Sequence, residues 1–215
     1  IQIIESFDQF LFHPEDIPFT AYAGIPNVFT QFRKRCEKEA TVRPVARTIQ
    51  ALSEDNLVQN QTQIPSLEEL GLEDFPLEPK SAFPFKGGEK EALQRLEHYF
   101  WNTKKLAYYK KTRNGLVGVD YSSKFSPWLA NGSVSARHIY WEVKRFEKEI
   151  KKNQDTYWLV FELIWRDYFK YISLKYGNHI FKLGGILKKS YDWNRNEKAL
   201  GSWVQGTTSE PFVNA

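Results

Sequence analysis

The chain has 215 residues, 41% of them apolar, and 30 lysines and arginines against 26 carboxylates for a formal charge of +4. That length supports one large or two small cores, and the mild basic excess leans toward anionic partners without the charge density of a DNA-wrapping protein. One cysteine, Cys36, excludes a disulfide framework and points to a reducing compartment.

No basic leader followed by an apolar stretch opens the sequence and no run of 18 apolar residues occurs, so no membrane insertion is expected. The chain contains no Met, and residue 1 is expected to lie inside a longer translated chain. Aromatic residues make up 16% of the sequence, an area that requires burial or a planar ligand.

In chain order, residues 1–24 alternate weakly and then reach "HPEDIPFTAYAG", whose prolines and glycine mark turns. The spacing of Val28, Phe32 and Arg35 predicts a helix over 26–39. From Arg43 to Gly88 the sequence is proline-rich, with one short helix candidate at "SLEELG", and reads as a linker.

Beyond Gly87-Gly88, Ala92, Leu93, Leu96, Tyr99 and Phe100 share a stripe that predicts a helix of four turns. A second helix follows Ser133 as N-cap and closes in lysines; a third begins at Asp155 or Thr156 and stops at Gly177; a weaker one covers "EKALGSWVQG". With no convincing strand, residues 86–215 read as an all-α unit. No P-loop, dinucleotide glycine fingerprint, HExxH or zinc-type Cys/His spacing occurs, and His13, His98, His138 and His179 are scattered, so no metal site is expected.

Two features carry candidate chemistry. In the third helix Glu162, Trp165, Arg166 and Phe169 stand at i, i+3, i+4 and i+7, on one face. This mixture fits either a solvated face with an Arg–Glu pair or a cavity wall whose Trp supplies a platform and whose charges read polar edges of a ligand. Ser122, Ser123 and Ser126 fit either turns and caps or a hydroxyl cradle for a phosphate.

The stretches "YYKKTRNGLVGVDYSSKFSPWLANGSVSARHIY", "TYWLVFELIWRDYFKY" and "YDWNRNEKALGSWVQGTTSEPFVNA" resemble the cryptochrome/photolyase family. "DYSSKFSPWLA" and the upstream "HPEDIPF…IPNVFTQFRK…VRP" are similar to its DASH branch in particular. The resemblance implies a mainly α fold: the N-terminal half of the all-helical FAD-binding domain, preceded by a remnant of an α/β antenna domain and a long linker. The corresponding boundaries are 1–45 for the remnant, 46–85 for the linker and 86–215 for the partial helical domain.

It further implies that Tyr109, Ser122, Ser123, Lys124, Phe125, Ser126 and Arg166 bind FAD, with Ser122 and Ser126 on the diphosphate. Glu162 and Trp165 would face a flipped-out pyrimidine dimer, and Trp193 would be the outermost tryptophan of the electron-transfer chain. The implied activity is light-driven electron transfer from FAD for repair of cyclobutane dimers in single-stranded DNA, or blue-light sensing. Cytoplasm or plastid stroma is the implied compartment, and an antenna chromophore is not expected.

The family pattern Gly-Thr/Lys-Thr-Gly-aromatic-Pro with a later Asp is replaced by Ser209, Glu210 and Asn214, a departure costly if position 209 needs positive φ. A second reading therefore stands beside the first: a flavin-free structural subunit whose truncated helical face is covered by a protein partner.

Overall fold

The computed structural model describes residues 3, 6–46, 51–56, 62–73, 76, 78 and 81–214, and among them there is helix and no strand. Two compact units are formed, Ile1–Ile172 and Ser173–Ala215.

The first unit carries α1 (Phe29–Glu39), α2 (Glu89–Glu97, continued by a π turn over His98–Asn102), α3 (Tyr109–Thr112), α4 (Ser126–Asn131), α5 (Ala136–Glu149) and most of α6 (Gln154–Tyr176). Residues 8–42 belong to the same core as α6 and are not packed apart from it: Phe10 stacks on Tyr171 at 4.6 Å, and Tyr171 donates to the Phe12 carbonyl at 2.6 Å.

Helix α1 buries Phe29, Phe32 and Cys36, so its apolar stripe lies one residue from the Val28-based register; Val28 is the exposed N-cap. In α2 the stripe reads Ala92, Arg95, Leu96, with Leu93 partly exposed. An arginine thus occupies a core position in place of the predicted leucine. Helix α5 is capped by Ser135, whose hydroxyl accepts from the His138 amide at 3.1 Å, and not by Ser133, whose amide and hydroxyl both turn to Asn131. Gly132, at φ +82°, lets α4 stop there.

"SLEELG" forms a turn closed by a reciprocal Ser66–Glu69 capping box and not a helix. Residues 47–50, 57–61 and several between 74 and 80 of the expected linker lie outside the described residues.

The second unit contains α7 (Glu197–Val204), N-capped by Asn196, and the short α8 (Pro211–Asn214). Asn214 accepts from the Thr208 amide and hydroxyl at 2.9 and 2.6 Å and donates back to its carbonyl at 2.8 Å. Ser209 is not in the left-handed region, so the φ penalty expected of it does not arise. Among the described residues no helix is long and apolar enough to cross a membrane, and no cluster of three metal-ligating side chains occurs.

Candidate functional site

A cavity of about 760 Å³ opens between the serine loop and α6. Its wall combines Tyr109, Ser122, Ser123, Lys124, Phe125 and Ser126 with Glu162, Arg166, Phe169 and Lys170. Nine of the residues singled out from sequence therefore meet on one concavity, Tyr109, the five from 122 to 126, Glu162, Arg166 and Phe169.

The loop is held from behind by Arg95, which is 3% exposed. Its Nε donates to the Ser123 carbonyl at 3.1 Å, Nη2 to the Val119 and Ser122 carbonyls at 3.1 and 2.9 Å, and Nη1 to the Asp120 carboxylate at 2.6 Å. These contacts brace the loop whose Ser122, Ser123 and Ser126 line the cavity. Burial opposes the charge of Asp120, but the hydrogen bonds from Arg95 and His98 outweigh it and hold the carboxyl below its ordinary value. No sequence motif marked Arg95; its position three residues after Ala92 and four before Tyr99, on the apolar stripe, is the signal that could have.

Lys124 lies in the left-handed region at φ +64°, its ammonium 3.7 Å from the Tyr121 ring centroid. A long side chain in that conformation costs about 1–3 kcal/mol, and such strain clusters where a ligand is held. Tyr109 is buried at the start of α3; burial first, then the nearby Glu162 charge, push its phenol up to about 12. It stays neutral at any ordinary pH and serves as a hydrogen-bonding wall.

On α6, Glu162 pairs with Arg113 at 2.9 Å, which anchors the "TRNG" segment against the cavity wall. Arg166 makes two backbone contacts: Nη2 donates to the Leu129 carbonyl at 2.9 Å and Nη1 to the Gln9 carbonyl. It faces the cavity while tethering α4 and the 8–12 segment to α6. Asp167, fully buried, accepts from the Leu11 and Phe12 amides at 3.0 and 2.8 Å, and burial pushes its carboxyl up to about 7.

Trp165 does not line the cavity. Its ring stacks on Phe29 at 3.5 Å and 11°, with Phe169 at 5.3 Å and 24°. Flanked by these two rings, it is a packing residue in this structure, and Phe169, 61% exposed, is the ring α6 presents at the wall. The physical reason is the one-residue shift of α1, which delivers Phe29 against α6. Trp193, 61% exposed, belongs to the second unit, tilted against Tyr191 at 5.8 Å, beside a surface pocket lined by Lys182, Lys188, Lys189 and Arg195. Sequence reasoning missed Arg95, Arg113 and Lys170, which shape or flank the cavity, and the buried Asp167, which ties the 11–12 backbone to α6.

No family model matches the chain. It is 49% identical over 205 residues to the cryptochrome DASH of Danio rerio, covering 95% of this chain and 39% of that protein. Against the chloroplastic/mitochondrial cryptochrome DASH of Arabidopsis thaliana the identity is 43%, over 95% of this chain and 36% of the relative. The crystal structure of the Synechocystis sp. PCC6803 cryptochrome superposes with a TM-score of 0.86 at 43% identity, over 97% of this chain and 43% of that one. A class III photolyase from Agrobacterium tumefaciens, at 21% identity and a TM-score of 0.74, shares the fold.

The fold is that of the helical domain of cryptochromes and photolyases, and the chain belongs to that family, on its DASH branch. It spans about two fifths of the length of the curated relatives it matches.

Proposed function

We propose that the cavity holds the diphosphate and part of the ring system of FAD, and that the chain serves light-driven electron transfer to a nucleobase lesion. The observation that carries this reading is the convergence of a braced hydroxyl loop and α6 on one cavity of about 760 Å³, within the range of cofactor pockets.

The residues present fit such a group. Ser122, Ser126, Lys124 and Lys170 offer hydroxyl donors and positive charge to a diphosphate, while Leu159, Leu163, Phe125 and Phe169 supply apolar wall to a planar ring. Bound there, the flavin would supply one-electron chemistry under blue light; the protein's part is orientation and electrostatics. Glu162, held by Arg113, offers a carboxylate oxygen to a base edge, and a base reaching it must leave its stack. A cyclobutane pyrimidine dimer in single-stranded DNA is the substrate this reading assigns, with blue-light sensing as the use of the same photochemistry without a lesion. Trp193 remains the proposed surface electron donor.

The parts of the chain follow the same reading: 1–45 derives from the end of an antenna domain, 46–85 from the linker, and 86–215 from the flavin domain. The compartment is a reducing one, cytoplasm or plastid stroma, in keeping with a single buried cysteine whose thiol burial pushes up to about 12.

A second reading, a flavin-free structural subunit, is favoured by the exposed Phe181, Leu183, Trp203, Val204 and Phe212 of the second unit, an apolar surface suited to further protein. The visible spectrum of the purified chain after reconstitution with FAD tests both. A retained flavin band supports the first reading; a colourless protein that is well folded by circular dichroism overturns it.

A further inference from the structure

The second unit holds a pocket of its own. It measures about 610 Å³, and its wall is formed wholly by residues between 179 and 195, among them Lys182, Lys188, Lys189, Tyr191, Trp193 and Arg195. A space of that order suits a ligand the size of one nucleotide.

The loop that builds the pocket is folded back on itself by its own backbone. After the short turn Gly177–Phe181, the Gly185 amide donates to the Lys182 carbonyl at 2.8 Å and the Lys189 amide to the Gly184 carbonyl at 3.2 Å. A Cβ at position 184 would meet the Lys189 carbonyl at 2.9 Å, so glycine is what lets the two arms approach, and Gly185 and Lys188 take φ +56° and +52°. This closure gathers Lys182, Lys188 and Lys189 around one concavity, with Arg195 supplied by the segment that follows.

All four cations are exposed, and among the described residues none of them makes an ion pair. The carboxylates nearest in the chain, Asp192 and Glu197, are absent from the pocket wall. The arginines of the first unit behave differently: Arg33, Arg43, Arg95, Arg113 and Arg137 each hold a carboxylate. Cations gathered in a concavity without counterions focus a positive field there and recruit a ligand of several negative charges.

The same wall also offers aromatic faces. Tyr191 and Trp193 are 46% and 61% exposed, with centroids 5.8 Å apart and rings tilted by 57°, so they touch each other and leave their outer faces to a planar group. Cations alone would suit any polyanion; rings in the same concavity select one that carries a flat heterocycle.

We propose that this pocket binds a free nucleoside triphosphate, with the phosphates on the lysines and Arg195 and the base stacked on Trp193. The inference does not rest on the flavin reading, because the cavity assigned to FAD is walled by residues of the first unit alone.

The test is calorimetric titration of the flavin-free 215-residue chain and its variants with ATP, AMP and inorganic triphosphate, with oligothymidylate as competitor. Lys189→Ala with Arg195→Ala is expected to weaken ATP binding by about 10-fold or more and to remove most of the preference for ATP over AMP. Trp193→Ala is expected to weaken it about 5- to 100-fold, whereas Trp193→Phe, which keeps a stacking face, stays close to the parent. Ser122→Ala with Ser126→Ala, in the other cavity, is expected to leave ATP binding unchanged.

No binding at millimolar ATP overturns the proposal, and so does a Trp193→Ala chain that binds ATP as the parent does. Inorganic triphosphate that binds as tightly as ATP refutes the role of the rings. Loss of ATP from the serine variant with retention in the lysine–arginine variant would put the nucleotide in the other cavity, and displacement of ATP by oligothymidylate at equal phosphate would make the pocket a strand contact; either result sinks the proposal. Photolabelling with 8-azido-ATP reads the site without a substitution: label within residues 182–195 supports it, and label within 122–126 refutes it.

Discussion

Arg95 donates from Nε to the Ser123 carbonyl at 3.1 Å, so a guanidinium buried in α2 orients the backbone of the loop that carries the cavity's hydroxyls. Because the same group also holds the Val119 and Ser122 carbonyls and the Asp120 carboxylate, the loop's shape is set by one side chain from outside it.

Arg95→Ala is therefore expected to leave three carbonyls without their partner and Asp120 with His98 alone, and to lower stability by about 3–5 kcal/mol, the range for breaking a buried charge pair. Urea unfolding monitored by circular dichroism measures it. A loss below about 1 kcal/mol would mean that the loop does not depend on this clamp.

Asp167 carries a pH dependence of definite sign. Its folded carboxyl sits near 7, above the ordinary value of 3.8, so the folded state binds the proton more tightly and stability falls as pH rises from about 4 to 7. The slope approaches about 1.4 kcal/mol per pH unit for one proton. In Asp167→Asn that slope disappears; the variant is less stable than the parent at pH ~4, because an amide accepts at only one atom where two backbone amides need acceptors, and the gap narrows toward pH ~7. Urea midpoints across this range show either the predicted convergence or parallel curves, which would exclude it.

Trp165 and Phe169 make opposite forecasts although they are four residues apart. Trp165→Ala removes the ring stacked on Phe29 and should cost about 3–5 kcal/mol, whereas Phe169→Ala, at an exposed wall position, should stay within about 1 kcal/mol in stability. If FAD is bound, Phe169→Ala weakens its retention. Thermal unfolding paired with flavin titration separates the two roles, and a Trp165→Ala protein of unaltered stability would restore the residue as a free platform.

Lys124→Gly tests the strained wall position. Glycine reaches φ +64° without a Cβ penalty, so the variant is expected to be equal to or up to about 1 kcal/mol more stable than the parent. Removing the ammonium from the wall should at the same time weaken retention of an anionic cofactor. A clear loss of stability would show that the Lys124 contact with Tyr121 outweighs the backbone strain.

By itself the sequence determined the helical class, the approximate span of α5 and α6 and, through the wording of "TRNG", "DYSSKFSPWLA" and "FELIWRDYF", the family. These are local properties: period 3.6, caps and short motifs are written in neighbouring residues. It also marked Ser122, Ser123, Ser126, Glu162 and Arg166, because hydroxyls in a loop and charges on an aromatic face are visible without coordinates.

Only the tertiary structure decided what each of those residues touches. Val28 and Phe29 differ by one position, and which of them turns inward depends on α6; that choice stacked Trp165 and left Phe169 at the wall. Arg95 reads as a surface residue until the 119–123 loop supplies four oxygen partners 24 to 28 residues away. Asp167 looks solvated until the Leu11 and Phe12 amides arrive from more than 150 residues upstream. A buried polar group needs its partner, and when that partner is distant in the chain no local pattern announces it.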